Sequence, residues 1–366
     1  MIWRVSYDKK TFASFALCAF ALILEIMLNI ETPEIKYVIH AVRQASRLVK
    51  QIQAEMVSPA LTKDDRSPVT VADFAAQALV GHLLDKNFPD DPLVGEEDSS
   101  ALHTPEEQTT LERITAFVSR FTAGATPETV CQWIDRGTAI SAPRFWSIDP
   151  IDGTKGFLRG DQYAVALALI EEGQVQIGAL GCPNLSPLSL QGRGVRACTE
   201  RSRIGEGVLI VAARGQGTWA GTLDGELDLR PLSVSERSGP AQARLLRSLE
   251  SGHTHADQIE RFSEAFGVQA DPLRMDSQAK YAVLAAGQAE IYLRLLSPKL
   301  PDYREKIWDQ AAGTIVIEEA GGRVTDLDGR ALDFTRGRTL TNNRGICATN
   351  GVLHEAVLES LKIIGA

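Results

Sequence analysis

Apolar positions along the chain switch between two periods, and the switches mark out the elements. Ile35, Val38, Val42, Ala45, Val49, Ile52 and Met56 recur at helical spacing behind Thr32-Pro33. A cap residue followed by proline at the first helical position predicts a long helix starting there. Further helices are predicted over 72–86 and 106–121, with polar loops at 58–67 and 99–105. Short β-rich runs predict strands at 93–94, 145–148, 163–170 and 174–180, and Glu171-Glu172-Gly173 makes the last two a hairpin. Beyond them, strands are predicted at 208–212, 227–234, 244–249, 290–295 and 345–349. Helices are predicted at 256–266, 277–286, 308–320 and 351–363, the third of these ended by Gly321-Gly322. Strands and helices interleave without a regular βαβ repeat, which makes this a mixed α/β chain. The loop from Pro183 to Gly194 reads as a boundary between an N-terminal α+β half (32–185) and a C-terminal α/β half (186–366).

Residues 1–31 differ from the rest. Lys9 and Lys10 precede an apolar run from Thr11 to Ile30, interrupted by Glu25 and Asn29. A run of that length spans a bilayer marginally, or serves as a targeting segment. Membrane association through residues 11–30 is therefore one expectation. An extension packed on the domain, in a cytoplasmic protein, is the other.

Composition narrows the function classes. The chain has 366 residues, 44% hydrophobic and 23% charged, as an ordinary globular enzyme does. A formal charge of −9 argues against a nucleic-acid polymer as partner. A small anionic substrate needs only a local cluster of cations and remains open. The 5 cysteines are scattered with no Cys-x-x-Cys, so no zinc site or disulfide framework is expected and a reducing compartment is favoured.

The chemistry concentrates in Asp149-Pro150-Ile151-Asp152-Gly153-Thr154. Two carboxylates leave the end of a buried strand, where they suit a hard cation. Gly153-Thr154 then opens a helix, whose free N–H groups suit an anion. Gly95-Glu96-Glu97 also follows a strand, Asp309 opens an apolar helix, and Asp73 reads as a first-turn acid. Singly, each of these is more often a solvated or dipole-favoured carboxylate. Together they describe a site for metal and phosphate. A phospho-aspartyl nucleophile of the Asp-x-Asp-Gly-Thr kind is ruled out, because Pro150 stands where its first acid would be.

Val94-Gly95-Glu96-Glu97, Asp149-Pro150-Ile151-Asp152-Gly153-Thr154 and Trp308-Asp309-Gln310-Ala311-Ala312-Gly313 resemble the three motifs of the inositol-monophosphatase superfamily. Ser67-Pro68-Val69-Thr70-Val71-Ala72-Asp73, the run from Gly153 to Gly160, Gly181-Cys182-Pro183-Asn184-Leu185 and Asp276-Ser277-Gln278-Ala279-Lys280-Tyr281 are most similar to its fungal and plant 3′(2′),5′-bisphosphate nucleotidases. The resemblance runs from about residue 33 to the C-terminus and implies a layered α/β/α/β sandwich. It implies magnesium, two or three ions, held by Glu96, Asp149, Asp152, Asp309 and the Ile151 carbonyl. Asp73 and Thr154 would orient and activate a water, and the Gly153 and Thr154 N–H groups would hold phosphate. Ser277, Lys280, Arg294 and His253 match positions around a nucleotide. Arg294 ends a buried strand, where an unpaired charge is costly, so a bound anion is its expected partner. Lys155 and Arg159 either guide phosphate or cap the motif helix. The implied reaction removes the 3′-phosphate of adenosine 3′,5′-bisphosphate, with 3′-phosphoadenylyl sulfate as a second substrate, in a lithium-sensitive monomer. The alternatives are an inositol polyphosphate 1-phosphatase and a nucleotide-binding sensor without turnover.

Overall fold

The computed structural model describes residues 28–57, 67–187, 207–249, 256–297 and 299–366. Residues 1–27, with most of the run read as a membrane or targeting segment, residues 58–66 and 188–206, and residues 250–255 with His253 lie outside the described residues.

Helix α1 (Pro33–Met56) is amphipathic, and its predicted apolar stripe from Ile35 to Ile52 is buried. Pro33 occupies the start as expected, but the Thr32 side chain makes no capping hydrogen bond. Helix α2 (Ser67–Asn87) begins five residues earlier than its periodicity suggested, at Ser67-Pro68. Proline is tolerated in a first turn, so the helix runs back to it. Asp73 therefore lies in the second turn and is buried, rather than being a first-turn acid facing water.

A seven-stranded sheet follows in chain order: β1 (Leu93–Gly95), β2 (Arg144–Asp152), β3 (Ala164–Glu171), β4 (Gln174–Cys182), β5 (Val208–Ala213), β6 (Thr218–Thr222) and β7 (Arg230–Leu232). Only the β1–β2 pairing is parallel. Between β1 and β2 come α3 (Gln108–Val118) and α4 (Pro127–Asp135). Pattern reading missed α4, although its capping box of Thr126 and Thr129 and its Pro127 are written in the sequence. The boundary expected at residue 185 falls within this sheet, between β4 and β5.

A second, five-stranded sheet has the order β11-β12-β10-β8-β9. It comprises β8 (Leu245–Arg247), β9 (Leu273–Arg274), β10 (Ile291–Arg294), β11 (Arg323–Thr325) and β12 (Ile346–Thr349). Alternate residues of β3 sort to opposite faces of the first sheet: Val165, Leu167 and Leu169 join the core with α1 and α2, whereas Ala166, Ala168 and Ile170 face α7 (Ala279–Ala285) and α8 (Ala311–Glu319). Tyr292, Ile346 and Ala348 of the second sheet close over α7 and α8 from the other side. Helices α6 (Ala256–Phe266) and α9 (His354–Ile364) cover that sheet's outer face. The layers are thus α/β/α/β, as expected, with an outer helical pair. The six-residue α5 (Thr154–Arg159) follows β2 directly.

Candidate active site

The spacing of the two central acids acquires its meaning from the sheet. Side chains three apart on a regular strand point to opposite faces. In β2, Asp149 pairs with Ala166 and Asp152 with Ala164, so the register shifts by one residue at Pro150-Ile151. Bulges tolerate proline and re-aim side chains. Here the bulge turns both carboxylates toward α8. Gly153 then takes the left-handed conformation (φ 93°) and starts α5.

Two further loops reach the same cavity, which holds about 350 Å³ and is lined by Glu96, Asp149, Ile151, Asp152, Gly153, Thr154 and Asp309. The turn after β1 carries Glu96 and is gripped by Gln77 of α2. Gln77 Nε2 donates to the Glu97 carbonyl (2.6 Å), and its Oε1 accepts from the Glu97 N–H (3.0 Å). Asp309 stands just ahead of α8, whose first residue is Ala311 rather than the predicted start at 308. Asp73 lies behind this wall and does not line the cavity. Its Oδ1 has no hydrogen-bond partner, so the implied link between Asp73 and Thr154 is not made through that oxygen.

These acids crowd one another. Burial pushes the Asp149 carboxyl well above its usual range, and Glu96, Asp152, Asp309 and Asp73 push it further. Burial and then Asp152 do the same to Asp309. Asp73 rises through burial and the charges of Glu97 and Glu96. Glu96 keeps an exposed surface, yet the surrounding protein strips enough hydration to raise it, and Asp152 adds to the rise. Burial, then Glu96 and Asp98, bring Glu97 to about 7. Asp152 is raised least freely: burial lifts it, while Lys280, Arg294 and the Gln278 N–H pull it back.

The donor set fits a hard cation. It is all oxygen, it is mutually repelling, and the buried Asp149 Oδ1 lacks any hydrogen-bond partner. Among the described residues no three His, Cys, Asp or Glu side chains close on a single point.

The opposite wall of the cavity is cationic and polar: Ser248, Ser277, Lys280, Tyr292, Arg294 and Tyr303. Lys280 is buried, donates to Ser248 Oγ (3.3 Å), and lies over the Tyr292 ring at 5.0 Å. Burial lowers its ammonium to about 8, against the pull of Asp152. One expectation fails here. Arg294 is not an unpaired charge awaiting an anion, because its Nε meets Glu305 Oε2 at 3.0 Å and Glu305 is buried. The pair is itself tied down, since Gln310 Nε2 donates to the same Glu305 oxygen (3.0 Å). Arg159 is likewise a structural residue, bound to Asp161 and Asp276. Lys155 lines the cavity. His253 lies outside the described residues.

Sequence reading missed several residues that build the site. Gln77 stands one helical turn after Asp73 on a face that could have been extended from it. Arg338 was invisible, because it arrives from a distant loop. It donates to the Gly95 and Gly137 carbonyls and lies over the Trp308 ring at 4.8 Å, joining the first motif to the third. Gln278 sat within a quoted motif but was given no role. Its main-chain N–H donates to Asp152 Oδ2 at 2.7 Å.

Comparison with known proteins agrees with this geometry. The inositol monophosphatase family matches residues 24–366. A 3′(2′),5′-bisphosphate nucleotidase of Emericella nidulans is 40% identical over 342 residues, covering 88% of this chain and 95% of that protein. 3′(2′),5′-Bisphosphate nucleotidase 2 of Candida albicans is 43% identical, covering 88% and 94%. One from Oryza sativa is 41% identical, covering 88% and 91%. Among solved structures, an IMPase of Thermotoga maritima superposes with a TM-score of 0.56 at 20% identity, over 91% of this chain and 98% of that one. An inositol monophosphatase from Anabaena gives 0.56 at 21%, over 92% and 97%. At such identities the structures bear on the fold alone. The chain belongs to the inositol monophosphatase family, among its 3′(2′),5′-bisphosphate nucleotidases.

Proposed function

We propose that this chain is a magnesium-dependent phosphomonoesterase that removes the 3′-phosphate of adenosine 3′,5′-bisphosphate, leaving AMP, and that it also accepts 3′-phosphoadenylyl sulfate. The observation that carries this reading is a single cavity with acids on one wall and cations on the other. The curated relatives named above support the substrate class.

Glu96, Asp149, Asp152, Asp309 and the Ile151 carbonyl would hold the metal. When bound, magnesium supplies charge neutralisation at the phosphoryl oxygens and a more acidic water. The rest falls to the chain. Gly153 and Thr154 offer N–H groups to the phosphoryl oxygens at the start of α5. The Thr154 hydroxyl, exposed in the cavity, would accept a hydrogen bond from the attacking water, with Asp73, by the family resemblance, as the group that orients it. Lys280 and the open side of the Arg294 guanidinium face the second anionic group of the nucleotide, with Ser277 beside them. Most of the rate enhancement then comes from positioning and electrostatics. His253 contributes on the nucleotide side. Lithium, which can occupy a magnesium position without supplying its charge, inhibits.

The test is phosphate release from adenosine 3′,5′-bisphosphate, with AMP and inositol 1,4-bisphosphate in parallel. Fast release from the first substrate alone is the expected result. Release from the inositol compound alone would keep the chemistry and overturn the reading of the cationic wall. No release from any substrate, with the nucleotide still bound, would make this a sensor.

A further inference from the structure

Gln278 is buried between the two elements whose acids face each other across the cavity. Its main-chain N–H holds Asp152 Oδ2 at 2.7 Å. Its side chain holds the other element. Nε2 donates to the Trp308 carbonyl at 3.1 Å, and Oε1 accepts from the Gly313 N–H at 3.3 Å. Trp308 and Gly313 bracket Asp309 in sequence. The Gly313 N–H belongs to the first turn of α8, where a helix has no internal acceptor to offer. One side chain therefore caps α8 and fastens the approach to Asp309, while the same residue's backbone grips Asp152.

The local backbone is bent to allow this. Ser277 adopts φ 70°, a left-handed conformation uncommon for a residue with a side chain. Such a turn persists only where its surroundings over-determine it. It packs directly on the turn at Gly153, where an added Cβ would come within 2.8 Å of the Ser277 Cβ. The two turns are therefore in close contact.

We propose that Gln278 is a positioning residue that sets the separation of Asp152 and Asp309, and with it the affinity of the site for its cation. This rests on the reading of those acids as metal-holding. An amide is required, because one planar head must donate to Trp308 and accept from Gly313. Methionine has nearly the same length and can do neither, and it leaves the main-chain bond to Asp152 in place.

The experiment is calorimetric titration of the metal-free full-length protein with magnesium, for wild type and Gln278→Met, alongside melting temperature and phosphate release. Loss of an outer partner of a metal ligand typically weakens metal binding about 10–100-fold. The magnesium Kd of Gln278→Met is expected to rise by that factor, as is the magnesium concentration giving half-maximal turnover. The nucleotide KM at saturating magnesium is expected to move less than about threefold. An unchanged magnesium Kd, with or without loss of turnover, would overturn the proposal. If Gln278→Met fails to fold, Gln278→Asn reads the same quantity: its amide is one methylene short, so a raised Kd supports the proposal and a wild-type Kd overturns it. Wild-type protein that binds no magnesium would overturn the functional reading itself, and the wild-type trace alone would reveal it.

Discussion

The two walls of the cavity are finished to different degrees. On the acidic wall Asp149 and Asp309 are pushed well above the ordinary carboxylate range, as is Asp73 behind it, and Asp149 Oδ1 and Asp73 Oδ1 have no hydrogen-bond partner. On the cationic wall Arg294 is paired with Glu305, Glu305 is held by Gln310, and Lys280 has Ser248 and the Tyr292 ring. The first wall is incomplete without a cation. On the second, Arg294 has its counter-ion and Lys280 is held by neutral groups, so it presents what those contacts leave over. Local charge thus identifies the metal side of the site more firmly than the substrate side.

The largest effect should follow from damaging the incomplete wall. Asp152→Asn removes a carboxylate that faces both the other acids and Lys280. Turnover of adenosine 3′,5′-bisphosphate at fixed magnesium should fall by about 100-fold or more, beyond what an outer partner costs. A variant retaining wild-type turnover would place the cation elsewhere.

Stability should separate the walls by sign. Arg294→Met strands the buried Glu305 charge, and losing one partner of a buried pair costs about 3–5 kcal/mol. Because Arg294 keeps some contact with solvent, about 2–3 kcal/mol is expected in denaturant unfolding of the metal-free protein. Asp149→Asn relieves repulsion and should stabilise the same metal-free protein by about 1 kcal/mol. Equal signs for the two variants would erase the contrast.

The smallest effect concerns Lys280. Its ammonium, lowered by burial to about 8, loses its charge as pH rises through that value. The ratio kcat/KM reports ionisations of the free enzyme. It should therefore decline above about pH 8, up to tenfold per unit, and Lys280→Arg should remove that limb because arginine stays protonated. A limb unchanged in Lys280→Arg would assign it to another group.

The contrast between the walls also explains what could be read from the sequence. Asp149, Asp152, Glu96 and Asp309 stand at strand ends or a helix entry, so local pattern located them. The bulge at Pro150-Ile151 turns the acids to one face, and only the pairing with Ala164 and Ala166 reveals it. The partners that finish the other wall come from afar. Glu305 carries no signal in the sequence pattern, and Arg294, which resemblance and its place at a strand end both mark, shows no counter-ion there. Its counter-ion depended on how β10 and the 303–310 loop pack, which no periodicity carries. Arg338 reaches Gly95 across 243 positions of sequence for the same reason. Pattern failed on elements too short to show a period, such as β9 and β11, and on α4, whose capping signal was present but unread.

The most direct test of the account is the melting temperature with and without saturating magnesium at about pH 5 and about pH 8. Unfolded carboxylates titrate near 4, whereas burial and neighbouring acids hold the native group well higher, with Glu97 at about 7. The native state therefore binds protons that the unfolded chain has released, so metal-free stability is fullest at acid pH and is lost as pH rises through the native values. Magnesium at 100 times its Kd adds about 2.7 kcal/mol by mass action. The account predicts that magnesium raises the melting temperature, and raises it more at pH 8 than at pH 5. A melting temperature indifferent to magnesium at both values would contradict it.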